Sequence, residues 1–558
     1  MMRAMADPPL DPRADPARRL GLLVAIVVVV AWLPVLGAGF VWDDSVLFLD
    51  NRLLSEPGHL AELWRSDLWA GTPAAVERSG FYRPLVAMSF VLDRALTGPA
   101  AWFAHLHSLS WHLLGGAILF VLLRRVVPAA AALAGAALFL VHPAQVEAVA
   151  WVAARNDPMA AAMLLSGVAV LDDDDPRPAR LLLGAACVLG ALLSKESALL
   201  ASVVLAAFSL ARTGRPGRLS AHLAVLAALA VYGGLRAWAE VPPPARADVA
   251  HLRAAVLPAL AAWCRSALWP VGLAPGVHLA WPPPLAGWAL AGAAVLALAL
   301  LWWGRRIAAA GLVVAGVTLA PALGAVASQG LVADRYLYLP LAGVALAVAG
   351  ALARAPRVAL VAGAGIALVG GVLTARTLPT WSDDETLWRT AVQRHPSQWT
   401  AGALARTLDL AGRPEAAIAW YRRAIAPPQA MQEACFRVTA VDVLLGDPEA
   451  AVADAEVALE AGCARSPELL APVAMAHALL GHWAVAESLA AELDPDPTGL
   501  AVVVRSAAAA RRQDLGVLEA AVRSHPDADP AGLVARVAWL LEQAGDASSA
   551  AWVRAAAP

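Results

Sequence analysis

Residues 18–44 read RRLGLLVAIVVVVAWLPVLGAGFVWDD, and the order of chemistry in this stretch decides the fold. Two arginines precede an apolar run from Leu20 to Gly39, long enough as a helix to cross the ~30 Å hydrocarbon core of a bilayer. A cleaved signal peptide would end in small residues followed by soluble sequence. Here more apolar runs follow, so the segment reads as a retained span with its N-terminus in the cytoplasm. The run stops on two adjacent carboxylates, Asp43 and Asp44. Neighbouring acids repel each other and titrate as a pair unless water, a cation or a substrate relieves them, which makes them a candidate site.

The rest of the chain extends this pattern. Of 558 residues 60% are hydrophobic and only 15% charged, which places most of the sequence in lipid. Further spans are expected at about 102–123, 128–142, 157–171, 180–194, 196–212, 219–238, 285–303, 307–326, 336–353 and 357–374, making about eleven with the first. Arginines mark alternate loops, at Arg124/Arg125, Arg177/Arg180, Arg212/Arg215/Arg218, Arg305/Arg306 and Arg354/Arg357. Those loops belong on the cytoplasmic side. The intervening ones, with everything after about Thr374, then face outward. Apolar stretches at 84–97 and 252–269 would break the alternation if they crossed, and are assigned to the outer interface as amphipathic or re-entrant helices.

A net charge of −2 provides no basic field for nucleic acid. The four cysteines form no CxxC unit, so neither a zinc site nor a redox compartment follows from them.

After Thr374 apolar residues recur at helical spacing and charges become frequent, the texture of a soluble helical domain. AGRPEAAIAWYRRAI (411–425) and LGDPEAAVADAEVAL (445–459) place Gly412 and Gly446 34 residues apart, and Gly481 follows 35 further on. A glycine turn followed by small residues, repeating near 34, is the tetratricopeptide pattern. The expected architecture is therefore all-α. A cytoplasmic tail (1–19) leads into a polytopic membrane domain (20–374) with outer loops 40–101, 143–156, 239–284 and 327–335, followed by an α-solenoid of repeats (375–558) on the outer side. The concave face of such a solenoid suits a protein partner.

Polar groups recur at the outer helix ends: Asp43/Asp44; Arg83 in FYRPL; His142, Glu147, Arg155 and Asp157 in HPAQVEAVAWVAARND; Lys195/Glu196; and Asp334/Arg335/Tyr336 with Tyr338. Charges at membrane depth are costly unless paired or lining a wet cavity, so their gathering on one side points to a polar chamber. Val146, Val149, Ala150 and Ala153 fit one helical face, which would lay that segment along the membrane with its acids toward the chamber. His105, His107 and His112 lack ligand spacing and read as hydrogen-bonded core or lumen histidines, and Tyr336 and Tyr338 as interface anchors. There is no P-loop, no GxGxxG after a strand and no GxSxG elbow. What remains is chemistry run by carboxylates and fixed cations. It suits displacement at a sugar carbon, where a carboxylate takes a proton from the acceptor hydroxyl while Arg or Lys holds a phosphate leaving group.

With FVWDDS, FYRPL, HPAQVEAVAWVAARND, LLSKES and ADRYLYLPLAG in this order, then a linker WSDDETLWRTAVQRHP and the repeats, the chain resembles the transmembrane and tetratricopeptide repeat-containing (TMTC) O-mannosyltransferases of the GT-C glycosyltransferase superfamily. The resemblance implies transfer of a sugar, mannose in that family, from a polyprenyl-phosphate donor to a protein or peptide hydroxyl on the luminal or periplasmic face, with inversion. It implies that one of Asp43 and Asp44 is the general base while the other orients the acceptor. Arg335, Lys195 and Arg83 would hold the donor phosphate, and Glu147, Asp157, Arg155 and His142 would contact acceptor or sugar. No cofactor is assigned from the sequence, and a divalent cation is left open. Alanine and arginine richness suggests a bacterial member, hence an inner-membrane protein with periplasmic repeats. The competing expectation is a membrane-anchored tetratricopeptide scaffold without catalytic activity.

Overall fold

The computed structural model describes residues 16–556 except 56, 74–78, 174, 176, 243–248, 276, 279–304, 330, 427–429, 494–498, 515, 517–519 and 521–529. The chain forms two compact units that divide between Thr390 and Ala391, later than the change of texture at 374/375. Apart from a two-residue ladder pairing Val277 with Val332 and His278 with Leu331, the regular elements described are helical. The fold is all-α and polytopic.

Among the described residues of the first unit seven helices are long and apolar enough to cross a membrane: Pro16–Gly37, Ala101–Arg124, Glu196–Thr213, Leu219–Trp238, Arg306–Val326, Asp334–Leu352 and Pro356–Trp381. The pair Ala129–Val141 and Pro143–Ala150, bent by 47° at His142, is long and apolar enough only when both helices are taken together. Of the eleven expected spans, 157–171 and 180–194 fall on the shorter helices Asn156–Leu171 and Pro178–Leu192. At about 1.5 Å rise per residue neither bridges the hydrocarbon core alone. The span expected at 285–303 lies outside the described residues.

Burial follows helical spacing: Leu20, Val24 and Val28 face inward, as do Ala221, Val225 and Ala228, while Leu22, Val30, Leu219, Leu223 and Leu226 are exposed in the manner of lipid-facing side chains. One helix contact is set by glycine. A Cβ on Gly311 would lie 2.4 Å from the Ala347 nitrogen, and one on Gly343 2.4 Å from that of Ala315. The helices Arg306–Gln329 and Tyr338–Leu352 therefore meet backbone to backbone, as small residues allow in membranes. This packing also fixes the turn at Asp334–Leu337, which carries part of the site.

Arginine loops that the charge pattern assigns to one side do meet. Arg125 donates to the carbonyls of Ala169 at 2.7 Å and Asp172 at 3.2 Å, Arg212 pairs with the Asp172 carboxylate at 2.9 Å, and Arg180 pairs with Asp173 at 2.9 Å. The stretch 84–97 forms the helix Pro84–Thr97, which buries Val86, Phe90 and Asp93 and exposes Leu92 and Leu96. The stretch 252–269 lies on Val249–Leu268.

The second unit stacks helix hairpins, among them Gln398–Leu410 with Pro414–Ala424, Gln432–Leu444 with Pro448–Glu460, and Pro467–Leu479 with Trp483–Ala491. Gly412, Gly446 and Gly481 each turn one helix into the next at φ 69°, 77° and 78°, a left-handed conformation that favours glycine. Ala417, Ala451 and Ala486 recur at the same spacing and are fully buried, so the period read from sequence is the period of close helix contact. Cys435 and Cys463 form a disulfide, with Cα atoms 6.1 Å apart and a sequence separation of 28. No spacing motif announces this pair, which the fold alone brings together.

Candidate active site

The first span ends in a 3-10 turn, Leu33–Gly37, and the chain then reverses so that the Asp44 N–H reaches the Val41 carbonyl at 3.0 Å. A single π turn, Ser45–Leu49, follows. The structure separates the two acids. Asp44 is fully buried; its Oδ2 accepts the N–H groups of Val41 at 3.1 Å and Val152 at 3.4 Å, and its Oδ1 accepts that of Ala153 at 2.6 Å. Burial pushes the Asp44 carboxyl up to about 8, against the pull of these three donors. Asp43 is only partly buried.

Next to Asp43, the Trp42 ring lies flat on Trp151, centroids 4.5 Å apart and planes within 6°. The Arg335 guanidinium sits over this stack, 5.0 Å from the Trp151 centroid and 5.8 Å from that of Trp42. Glu147 is its ion-pair partner, and Glu147 Oε2 also accepts the N–H groups of Asp334 at 2.9 Å and Arg335 at 3.2 Å. Glu147 thus fixes the turn that presents Arg335. Tyr336 lies between two cations: its ring is 5.0 Å from Arg335 and 5.6 Å from the Lys195 ammonium. Lys195 pairs with Asp157 at 2.5 Å, and Arg83 donates to Glu196 Oε2 at 2.7 and 3.0 Å while covering the Phe81 ring at 4.4 Å. Burial pulls the Lys195 ammonium down; Asp157 opposes this, while Arg83 and Arg335 add to it.

Two of the expected contact residues have their polar atoms engaged by the protein. Arg155 is fully buried. It pairs with Asp93 at 2.6 Å and donates to Ser108 at 3.0 Å, Ser89 at 3.1 Å and the Ala104 carbonyl at 2.8 Å. His142 accepts the Ala144 N–H on Nδ1 at 3.2 Å and donates from Nε2 to the Ala267 carbonyl at 3.0 Å. Both are engaged with the protein itself. The residues of the segment 143–156 are buried throughout, and Asp44, Asp93 and the 334–335 turn supply its polar partners from far along the chain. Tyr338 is a core residue and no interface anchor, buried with its hydroxyl 2.7 Å from His112 Nδ1. His105 faces the Gly39 carbonyl at 3.1 Å. Among the described residues no three His, Cys, Asp or Glu side chains are arranged to hold a metal ion.

The sequence placed Glu196 in the polar set without a role, and Trp151 was missed as a site residue. Trp151 Nε1, Asp157 Oδ2 and Glu196 Oε1 are buried without a hydrogen-bond partner among the described residues. One donor and two acceptors thus remain beside the cations. The only sequence signal was a lone Trp in an otherwise small-residue run, AVAWVAA.

Curated proteins share this sequence over part of its length. It is 38% identical over 130 residues to protein O-mannosyl-transferase Tmtc1 of Drosophila melanogaster and 37% identical over 195 residues to Tmtc2 of the same organism. A third match, 32% identical over 150 residues, is TMTC3 of Mus musculus. Over these stretches the chain resembles the TMTC O-mannosyl-transferases. The matches cover 23%, 33% and 27% of it and only 15%, 21% and 16% of those relatives. No family model matches the chain. Its apolar helices support a multi-pass membrane protein.

Proposed function

We propose that this TMTC-like chain is a membrane glycosyltransferase that moves a sugar, mannose in the first instance, from a polyprenyl-phosphate donor to a hydroxyl of a protein or peptide. The observation that carries this reading is the set of three cation–carboxylate pairs, Arg335–Glu147, Lys195–Asp157 and Arg83–Glu196, whose cations act on one another and of which Arg335 reaches the Trp42 ring. A phosphate leaving group needs fixed positive charge, and cations already held by carboxylates cost little reorganisation when charge develops. The unpartnered Trp151 Nε1, Asp157 Oδ2 and Glu196 Oε1 suit the hydroxyls of a sugar.

In the proposed reaction Asp43 accepts the proton of the acceptor hydroxyl. The acceptor oxygen bonds to the anomeric carbon as the bond from that carbon to the phosphate oxygen breaks, which inverts the centre. The polyprenyl phosphate leaves with the electron pair, facing Arg335 and Lys195. Asp44 does not orient the acceptor in this scheme; it ties the turn to residues 152–153. The site would face the periplasm or lumen. Arginine loops clustered at the other loop set and a disulfide in the repeat unit support that orientation, since disulfides persist in oxidising compartments.

The test uses membranes bearing the full chain, labelled polyprenyl-phosphate mannose and peptide acceptors. Removing one charge-assisted phosphate contact costs about 1.5–3 kcal/mol, so Lys195→Met is expected to raise the donor KM by roughly 10- to 100-fold. Transfer by the wild type with a donor KM unchanged in Lys195→Met contradicts the assignment. The scaffold alternative predicts no transfer from any donor.

A further inference from the structure

We infer that Asp384 and Trp388, in the stretch that reads in sequence as a mere linker, are positioning residues for the Trp42–Asp43 turn; the inference rests on the assignment of Asp43 above. Trp42 is a bulky residue at φ 55°, a left-handed conformation that such side chains rarely adopt and that persists only where its surroundings enforce it. The enforcing contacts come from the segment beyond the last span. The Trp42 N–H donates to Asp384 Oδ1 at 2.6 Å, and the Gly39 N–H donates to the Ser382 carbonyl at 2.8 Å. Trp388 meets the Trp42 ring edge-on, centroids 5.1 Å apart, while Trp381 lies 6.3 Å from Trp151, the ring on which Trp42 stacks.

The platform is itself fixed. Trp381 and Trp388 are buried, and Asp383 accepts the Thr386 N–H at 2.9 Å, which caps the helix Asp384–Arg394. Residues 382–388 thus grip the turn through two backbone N–H groups and one ring. The backbone at Trp42 sets the direction in which the Asp43 carboxylate leaves the chain, and a misplacement of about 1 Å in a reacting group can cost on the order of 100-fold in rate. Asp384 would act on the reaction only through this turn.

The chemistry of the contact supplies a discriminating pair of variants. The Trp42 N–H needs an acceptor oxygen and not a charge. Asp384→Asn retains the acceptor, and Asp384→Ala removes it. In full-length protein in membranes, Asp384→Ala is expected to lower kcat for sugar transfer by about 10- to 100-fold while the donor KM stays within about threefold, because the cation pairs are untouched. Asp384→Asn is expected to stay within about threefold of wild type in both. Hydrogen exchange read on peptides covering residues 39–44 is expected to accelerate at least tenfold in Asp384→Ala and to be unchanged in Asp384→Asn.

A wild-type kcat in Asp384→Ala overturns the inference. So does an Asp384→Asn variant as slow as Asp384→Ala, which would make the charge, not the acceptor, the working feature. Should the wild-type chain transfer no sugar, the assignment of Asp43 falls, and the exchange rates alone decide the clamp: unchanged protection at 39–44 in Asp384→Ala overturns it, whereas accelerated exchange upholds it. If Asp384→Ala does not accumulate folded, Asp384→Asn and its exchange still decide the matter by the same criteria.

Discussion

At the scale of single residues, burial distinguishes side chains that sequence presents as equals. Asp43 and Asp44 are adjacent carboxylates, yet one is enclosed by three backbone N–H groups and the other is left partly open. Arg155 and Arg335 are likewise two arginines in polar loops between apolar runs. Arg335 faces aromatic rings beside the acid pair, whereas Arg155 is used up by Asp93 and two serines. Breaking a buried ion pair by removing one partner costs about 3–5 kcal/mol. Arg155→Ala is therefore expected to lower the thermal midpoint and the yield of folded protein, while the molecules that remain folded keep their donor KM. A raised KM at unchanged stability would instead put Arg155 in contact with substrate. Sequence could nominate both arginines, since a charge flanked by apolar residues demands a reason. It could not say which was free to serve, because that depends on a partner 62 positions away at Asp93.

At the scale of elements, the spans were legible because a run of about twenty apolar residues has few other places to go. Leu219–Trp238 forms over the very range its hydropathy indicated. The turn glycines of the hairpins were legible for a conformational reason, as Gly412, Gly446 and Gly481 all take positive φ. Burial of 143–156 was not legible, because its Gln, Glu, Arg and Asn look like loop residues until distant partners neutralise them. The hairpin array carries a titratable feature of its own. Arg422 pairs with Asp442 at 2.9 Å and with Asp454 at 2.7 Å, and burial, with Asp454 beside it, pushes the Asp442 carboxyl from 3.8 up to about 7. A group raised in this way contributes stability that is full below its unfolded value of 3.8 and is lost as pH rises through about 7. Amide protection in Gln432–Leu444, corrected for intrinsic exchange, is thus expected to be greater at pH 5 than at pH 8. Asp442→Asn should flatten that difference, and an equal pH dependence in the variant would assign the effect to another group.

At the scale of the molecule, the account joins a polytopic helical unit, whose polar residues pair at one loop set, to an array of hairpins held by a disulfide across 28 residues. Its central claim is that the acid pair does two jobs: Asp43 acts on the acceptor and Asp44 holds the turn. The measurement that tests this most directly compares sugar transfer from polyprenyl-phosphate mannose by wild type, Asp43→Asn and Asp44→Asn at equal protein level, with thermal stability recorded on each. A positioned general base contributes about 10²–10⁴ in rate, so Asp43→Asn is expected to lose transfer by that factor while melting like wild type. Asp44→Asn turns an amide N–H₂ toward backbone donors and is expected to lower stability by about 1–3 kcal/mol together with activity. An Asp43→Asn protein that transfers mannose at the wild-type rate would contradict the account.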